Sequence, residues 1–484
     1  MKLKDLLHAI PVLHIEGSLD VEVDAISFDS RAVAAGTVFV AVRGVHTDGH
    51  LFLDKAINQQ ASVVVVESLP AQFEEQVTYI QVSDTAYALG ILAGNFYGNP
   101  SKDLKLVGVT GTNGKTTVAT LLFNLFQQLG YQVGLLSTVE NRIGTQVVAA
   151  THTTPDPVAL HKLLREMVDH GCDYCFMEVS SHAVVQQRIA GLRFAGGIFT
   201  NITHDHLDFH KTFDNYIKAK KKFFDDLDKY AFALTNVDDK NGSVMLQNTF
   251  AHRKTYGQHN MADFKAKVVE SHFDGMLLSI DGQEVWVKLV GGFNAYNILS
   301  VYAAAILLEQ ETMKVLTAIS EITGAEGRFE TVRSNNGIIG VVDYAHTPDA
   351  VENVLQTIKD LRNPGQQIIT VLGCGGDRDR TKRPEMANVA LKYSDKLIVT
   401  SDNPRTEDPL AIIKDMEAGI PQDKKKNTFS ISDRREAIRA ACHLATPGDI
   451  VLIAGKGHEK YQEINGVRHH FDDREELEKT FNEQ

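Results

Sequence analysis

Two short runs near the amino terminus, VFVAV at 38–42 and SVVVVE at 62–67, are apolar and rich in valine; they predict buried strands with helical spacing between and after them. Together they predict a small α/β unit. The turn-rich stretch NFYGNPSKD at 95–103 breaks this pattern and places a boundary near residue 100. Beyond it KLVGVT reads as a buried strand, TGTNGKTT as a glycine loop, and the next stretch as a helix, because Leu121, Leu122, Leu125, Phe126 and Leu129 share one face and Gly130 follows. Strand, glycine loop and helix open a nucleotide-binding α/β unit.

After GRFE the chain restarts with a regular strand and helix alternation, which places a second boundary near residue 330. Four apolar runs follow, IIGVV, QIITVL, KLIVTS and IVLIA, and each leads directly into a polar loop: DYAHTPDA, GCGGDRDRTKRPEM, DNPRTEDP and GKGHEKYQ. Ligands of open parallel sheets bind at the carboxyl ends of the strands, so these four loops are expected on one edge, where they could build one site.

Composition narrows the class of protein. The chain has 484 residues, 43% of them hydrophobic and 23% charged, which describes a folded protein of several domains. Forty-nine Lys and Arg stand against 62 Asp and Glu, a net charge of −13, which disfavours a general binder of nucleic acid or anionic membrane. Any anionic ligand must therefore be held by a local site. Four cysteines, Cys172, Cys175, Cys374 and Cys442, make no disulfide framework and fit a reducing compartment. The amino terminus has Lys2 and Lys4 before a short apolar stretch, but Asp5 and His8 interrupt it and no small-residue cleavage site follows. No run of about 18 apolar residues occurs, so the expectation is a cytoplasmic protein with no membrane insertion.

TGTNGKTT carries the strongest chemical signal: glycines let backbone N–H groups wrap phosphate oxygens, Lys115 meets the terminal phosphates, and Thr116 can ligate magnesium. The loop departs from the common phosphate-binding pattern, which would place a glycine at 109 where this chain has Val109. Glu178 ends the apolar run FMEV, where a carboxylate can complete a magnesium site. HDHLDFH at 204–210 invites a zinc reading, but it lacks both the spacing of a closed ligand set and an HExxH helix. Cys172-x-x-Cys175 has no second pair and leads into a strand, so both thiols are expected buried or half-buried.

TGTNGKTT, MEVSSHA, NITHDHLDFH, YIKAKKKFF, GGFNAYN, GRFE, DYAHTPDA, GCGGDRDRTKRPEM, DNPR and AGKGHE occur in this order across essentially the whole chain. The chain thereby resembles the Mur ligase family, and within it the diaminopimelate-adding branch. The resemblance implies three α/β domains: a small N-terminal UDP-binding domain (1–100), a central P-loop ATPase domain (101–330) and a C-terminal Rossmann-like domain that takes the amino acid (331–484). It also implies an acyl-phosphate mechanism with ATP, UDP-N-acetylmuramoyl-L-alanyl-D-glutamate and meso-diaminopimelate as substrates, two magnesium sites, and a monomer.

Residue by residue, the resemblance implies ATP contacts from Gly111, Thr112, Asn113, Gly114, Lys115, Thr116 and Thr117, then Asn294, Asn297, Arg328, Asp343 and His346. Phe28, Ser30, Val45, His46 and Thr47 would hold the uridine diphosphate, and Thr153, Thr154, Ser180, Gln186 and Arg188 the muramoyl peptide. Lys220 aligns with the lysine that family members carry as a CO2-derived carbamate; carboxylation turns a repelling ammonium into an oxygen ligand for magnesium. Thr116, Glu178, His206 and carboxylated Lys220 then form the metal set, with Lys115, Glu178, His206 and Lys220 as the catalytic group. Arg383, Asp402, Asn403, Pro404, Arg405, Gly455 and Glu459 would line the amino-acid pocket. Diaminopimelate-adding members carry arginine at the position of Arg405 and lysine-adding members do not; a guanidinium suits the second carboxylate that distinguishes diaminopimelate from lysine. The alternatives are a lysine-adding sister, a folate- or D-alanyl-D-alanine-handling relative, and a catalytically silent nucleotide-gated binding protein.

Overall fold

Four consecutive valines, Val63–Val66, are buried on both faces, as a central parallel strand requires. In the computed structural model, which describes residues 1–44, 47–150 and 152–483, they lie in the middle of a five-stranded sheet. Its order is Val12–Glu16, Thr78–Val82, Val63–Val66, Thr37–Val40, Ala25–Ser27, and only the first pair is antiparallel. The second sheet has 11 strands. Lys105–Thr110 lies near its centre, paired in parallel with Tyr174–Glu178 on one side and Gly196–Phe199 on the other. Antiparallel strands extend both ends of this sheet, the longer extension being Phe264–His272, Gly275–Ile280 and Gln283–Val287. The third sheet runs Glu330–Arg333, Ile339–Asp343, Ile450–Ala454, Ile368–Cys374, Lys396–Ser401, Thr428–Ser430. Its four apolar runs are adjacent and parallel, so their loops do share one edge. Helices cover both faces of this sheet, each face with its own apolar cluster. The architecture is the expected one of three α/β domains.

Two close approaches position the central site. The helix Phe213–Asp225 lies directly on the sheet because Gly108 and Gly197 have no side chain; a Cβ on either would come within 2.6 and 2.8 Å of the Phe223 ring. That seating brings Lys220, one turn earlier, beneath the phosphate loop. At the edge of the third sheet the fully buried pair Arg434–Asp473 (2.7 Å) also donates to the carbonyls of Ser401 and Ala454. It ties together the strand ends from which DNPR and GKGHE depart.

His161, in the helix Pro157–Asp169, is fully buried where the first and second sheets' helices meet; a Cβ on Gly94 would lie 3.2 Å from its ring. Burial pushes its pKa down to about 4, and the Ala190 carbonyl offsets only part of this. The native protein therefore resists a proton that the unfolded chain accepts near the ordinary value of 6.5. Stability from this group is complete above that value and is lost as pH falls toward about 4. His161→Leu should remove about 2 kcal/mol of the acid-dependent loss between neutral pH and pH ~4.5. Urea unfolding midpoints across that range check this, and parallel pH profiles for the two proteins would refute it.

Candidate functional site

The phosphate loop follows from its local sequence. Gly111 and Gly114 have φ of +155° and +87°, and Gly114 caps the helix Lys115–Gln128. A Cβ on Gly114 would lie 2.7 Å from Asn297 Oδ1, so the helix bearing Asn294 and Asn297 lies directly against the loop; Asn297 donates to Asn294 Oδ1 at 2.9 Å. Thr112 Oγ1 shares a hydrogen bond with the Tyr216 hydroxyl (3.0 Å), and the Asn113 N–H donates to Asn201 Oδ1 (2.9 Å). Thr117 is buried in the first turn of the helix. Lys115 Nζ folds onto its own loop, donating to the carbonyls of Gly111 and Thr112 at 3.0 and 2.9 Å, and enclosure lowers its pKa.

The strands on either side deliver the next groups. Buried Glu178 accepts through Oε1 from Thr116 Oγ1 (2.8 Å) and from the Thr138 N–H (2.7 Å). Lys220, 1% exposed, donates to the Gly111 carbonyl at 2.7 Å. Burial drives its pKa well below the ordinary value, and neighbouring Lys115 pushes the same way. His206 sits at φ +55°. Asp205 Oδ1 accepts its N–H at 2.9 Å, and its ring Nε2 is 3.4 Å from Asp205 Oδ2. Lost hydration lowers its pKa despite Asp205, and His182, Lys115 and Lys220 add to the effect, so the ring is neutral. Among the described residues no three His, Cys, Asp or Glu side chains gather to hold a metal ion.

Beside Glu178 the peptide-binding candidates form one network. Thr154 Oγ1 donates to the Glu178 carbonyl (2.9 Å) and accepts from the Ser180 N–H (3.2 Å). Arg188 donates to the Thr154 carbonyl (2.7 Å) and to Gln186 Oε1 (2.9 Å), while Thr153 Oγ1 accepts from Thr138. Phe28, Ser30 and Thr47 instead follow the carboxyl ends of neighbouring strands in the first sheet, and make no hydrogen bond to this network. Val45 and His46 lie outside the described residues.

Groups from the third sheet close the site. Arg328 Nη2 donates to Thr116 Oγ1 at 3.3 Å while its guanidinium lies 4.6 Å over the Tyr344 ring. Asp343 accepts the N–H groups of Phe329 and Ala345, both at 2.7 Å, yet burial pushes its pKa up to about 6. The His346 ring Nδ1 lies 2.9 Å from the Tyr344 carbonyl. Further along the edge, Asn403 donates to Glu459 Oε2 (2.6 Å), and Gly455 lies against Asp402. Burial works against Asp402 ionisation, but Lys456 and Arg434 outweigh it and hold its pKa low, whereas burial and Asp402 push Glu459 up. Arg405, after Pro404, has φ +54° and donates to the Gly376 carbonyl at 2.7 Å. Arg383 is placed differently. Its buried guanidinium is held by Glu407 and Asp415, both at 2.8 Å.

Several groups in this site escape pattern reasoning. Lys456 is fully buried between Asp402 (3.2 Å), Asn403 (2.9 Å) and Glu459 (3.5 Å); it was visible inside AGKGHE but not distinguishable from a surface lysine. Asp205, Asn201 and Thr138 gain their roles only through contacts distant in sequence.

Three family models match the chain in order: "Mur ligase family, catalytic domain" over residues 22–97, "Mur ligase middle domain" over 109–305, and "Mur ligase, glutamate ligase domain" over 327–457. A UDP-N-acetylmuramoyl-L-alanyl-D-glutamate–2,6-diaminopimelate ligase of Phocaeicola vulgatus is 56% identical over 99% of both chains. The enzyme of the same name from Bacteroides fragilis is 54% identical, again over 99% of both. A solved structure of a ligase of that name superposes with a TM-score of 0.71 at 32% identity, covering 100% of this chain and 99% of the other. Matched in order by these three models and by relatives more than half identical from end to end, this protein belongs to the Mur ligase family.

Proposed function

We propose that the chain is an ATP-dependent ligase that joins meso-diaminopimelate to the γ-carboxylate of UDP-N-acetylmuramoyl-L-alanyl-D-glutamate, a step in building the peptidoglycan precursor. Relatives bearing that activity in their names match this chain end to end. The observation that carries the reading is the meeting of two chemistries at one junction: a phosphate loop with Thr116 and Glu178 in contact, and Arg328 reaching Thr116 from the edge of the sheet that bears Arg405. We assign the uridine diphosphate to residues 1–100, ATP to 101–330 and the amino acid to 331–484. No helix among the described residues is long and apolar enough to cross a membrane, and we read the enzyme as a cytoplasmic monomer.

The chemistry follows from what a carboxylate lacks. It becomes electrophilic only when one oxygen is made a leaving group, so the γ-carboxylate first takes the terminal phosphoryl group of ATP. The amine then attacks the acyl carbon, and the tetrahedral adduct expels phosphate to leave the amide. Lys115 and the loop N–H groups hold the phosphoryl oxygens where charge accumulates. The network of Thr154, Ser180 and Arg188 orients the peptide's carboxylates. The donor set suits magnesium: the hydroxyl of Thr116 and the carboxylate of Glu178 are hard oxygens in contact and would hold the ion, with His206 offering a neutral lone pair. When bound, it neutralises charge on the phosphate oxygens. Lys220 would fit only after carboxylation, and burial, which lowers its pKa, favours the neutral amine that CO2 requires.

Phosphate release tests the reading. It should require ATP, the UDP-linked dipeptide and diaminopimelate together, with one phosphate per amide formed; release that is indifferent to the amine would refute it.

A further inference from the structure

Two helices of the third sheet direct their first turns at the nucleotide side. In Pro348–Leu361, Asp349 Oδ2 accepts from Asn113 Nδ2 of the phosphate loop at 2.8 Å and lies 3.5 Å from Thr203 Oγ1. In Lys382–Tyr393, the first residue, Lys382, reaches Asp205 Oδ1 at 2.8 Å, and the two side chains are only 13% and 5% exposed. Asp205 is the residue that holds the His206 N–H. On the other side, Lys382 precedes Arg383, whose partner Glu407 also accepts the Asp377 N–H (2.6 Å); Asp377 in turn accepts from the Thr406 hydroxyl (2.8 Å), next to Arg405. A continuous run of contacts thus joins the loop of His206 to the loop of Arg405.

We propose that Lys382 and Asp205, seconded by Asp349 and Asn113, are positioning residues that make the amine pocket depend on the conformation of the phosphate loop. The idea rests on the ligase reading and adds a route between its two half-sites. A nearly buried ion pair strongly resists the loss of one partner, because the other charge is left uncompensated. Two contacts from neighbouring helices also fix an orientation that one contact alone would leave free to pivot. Neither Lys382 nor Asp205 is among the residues assigned to ATP, so their effect is expected on the amine site.

Lys382→Met should raise KM for diaminopimelate about ten- to a hundredfold, an effect of the size expected for coupled contacts, and leave the Kd for ATP measured without amine within about twofold. Lys382→Arg should restore most of the loss. The double variant Asp205→Asn with Lys382→Met should be no worse on this KM than the worse single variant. If Lys382→Met does not fold, Asp349→Ala should show the same rise in KM. An unchanged KM, an equal loss of ATP affinity, or additive single effects would overturn the proposal. Wild-type enzyme that fails to ligate would instead overturn the ligase reading, so the two failures are distinguishable.

Discussion

Lys220→Ala should lower ligation about a thousandfold, the scale for removing a group that supports charge at a reacting phosphoryl centre. The residue's surroundings suit the chemistry assigned to it. A lysine on an exposed helix face would be a permanent cation, whereas Lys220 is 1% exposed, 2.7 Å from the Gly111 carbonyl, and pushed toward the neutral amine by burial and by Lys115. A neutral amine attacks CO2: the N–C bond forms, one C=O electron pair moves to oxygen, and the nitrogen releases a proton to water. The product would be an anion beside Lys115, which would favour it electrostatically. Formate or acetate should therefore partly restore the alanine variant by supplying the missing carboxylate. Undiminished activity in Lys220→Ala, or full activity in Lys220→Arg, would remove Lys220 from the mechanism.

Arg405→Ala should lower kcat/KM for diaminopimelate by about a thousandfold, the penalty expected when a site built for an ionic partner loses it. Among the described residues no carboxylate lies within ion-pair distance of Arg405, and its backbone is clamped by bonds to the Glu463 carbonyl (3.0 Å) and the Asn465 N–H (2.7 Å). Its φ of +54° is uncommon for such a residue and is maintained by those bonds. Arg383 is already satisfied by two carboxylates, so in the proposed reading Arg405 is the group that would select the second carboxylate. Arg405→Lys should rescue poorly, since an ammonium cannot make the two-pronged pair. Equal rates for the wild type and Arg405→Ala would contradict this assignment.

Patterns of apolar residues revealed the elements that matter most to the site. Buried parallel strands such as KLVGVT and IVLIA are nearly continuous apolar runs, and the rule that ligands gather at their carboxyl ends brought four separate loops together. The antiparallel strand Phe264–His272 was not legible, because KAKVVESH is half exposed and lacks a clean alternation. Buried charges were the least visible. Arg434 lies in a helix whose sequence, RREAIRAACHL, reads as an ordinary charged surface until Asp473 is placed beside it. HDHLDFH resembled a metal cluster because spacing does not reveal direction: Asp205 turns to Lys382, and His210 Nε2 lies 2.9 Å from Ser181 Oγ.

The activity and its amine selectivity are tested most directly by a ligation assay in which the purified protein, ATP and UDP-N-acetylmuramoyl-L-alanyl-D-glutamate are offered meso-diaminopimelate, L-lysine and D-alanyl-D-alanine in competition. The expected product is an amide carrying diaminopimelate, with lysine incorporated at least about a hundredfold less efficiently and D-alanyl-D-alanine not at all. Comparable incorporation of lysine, or phosphate release with no amide product, would contradict it.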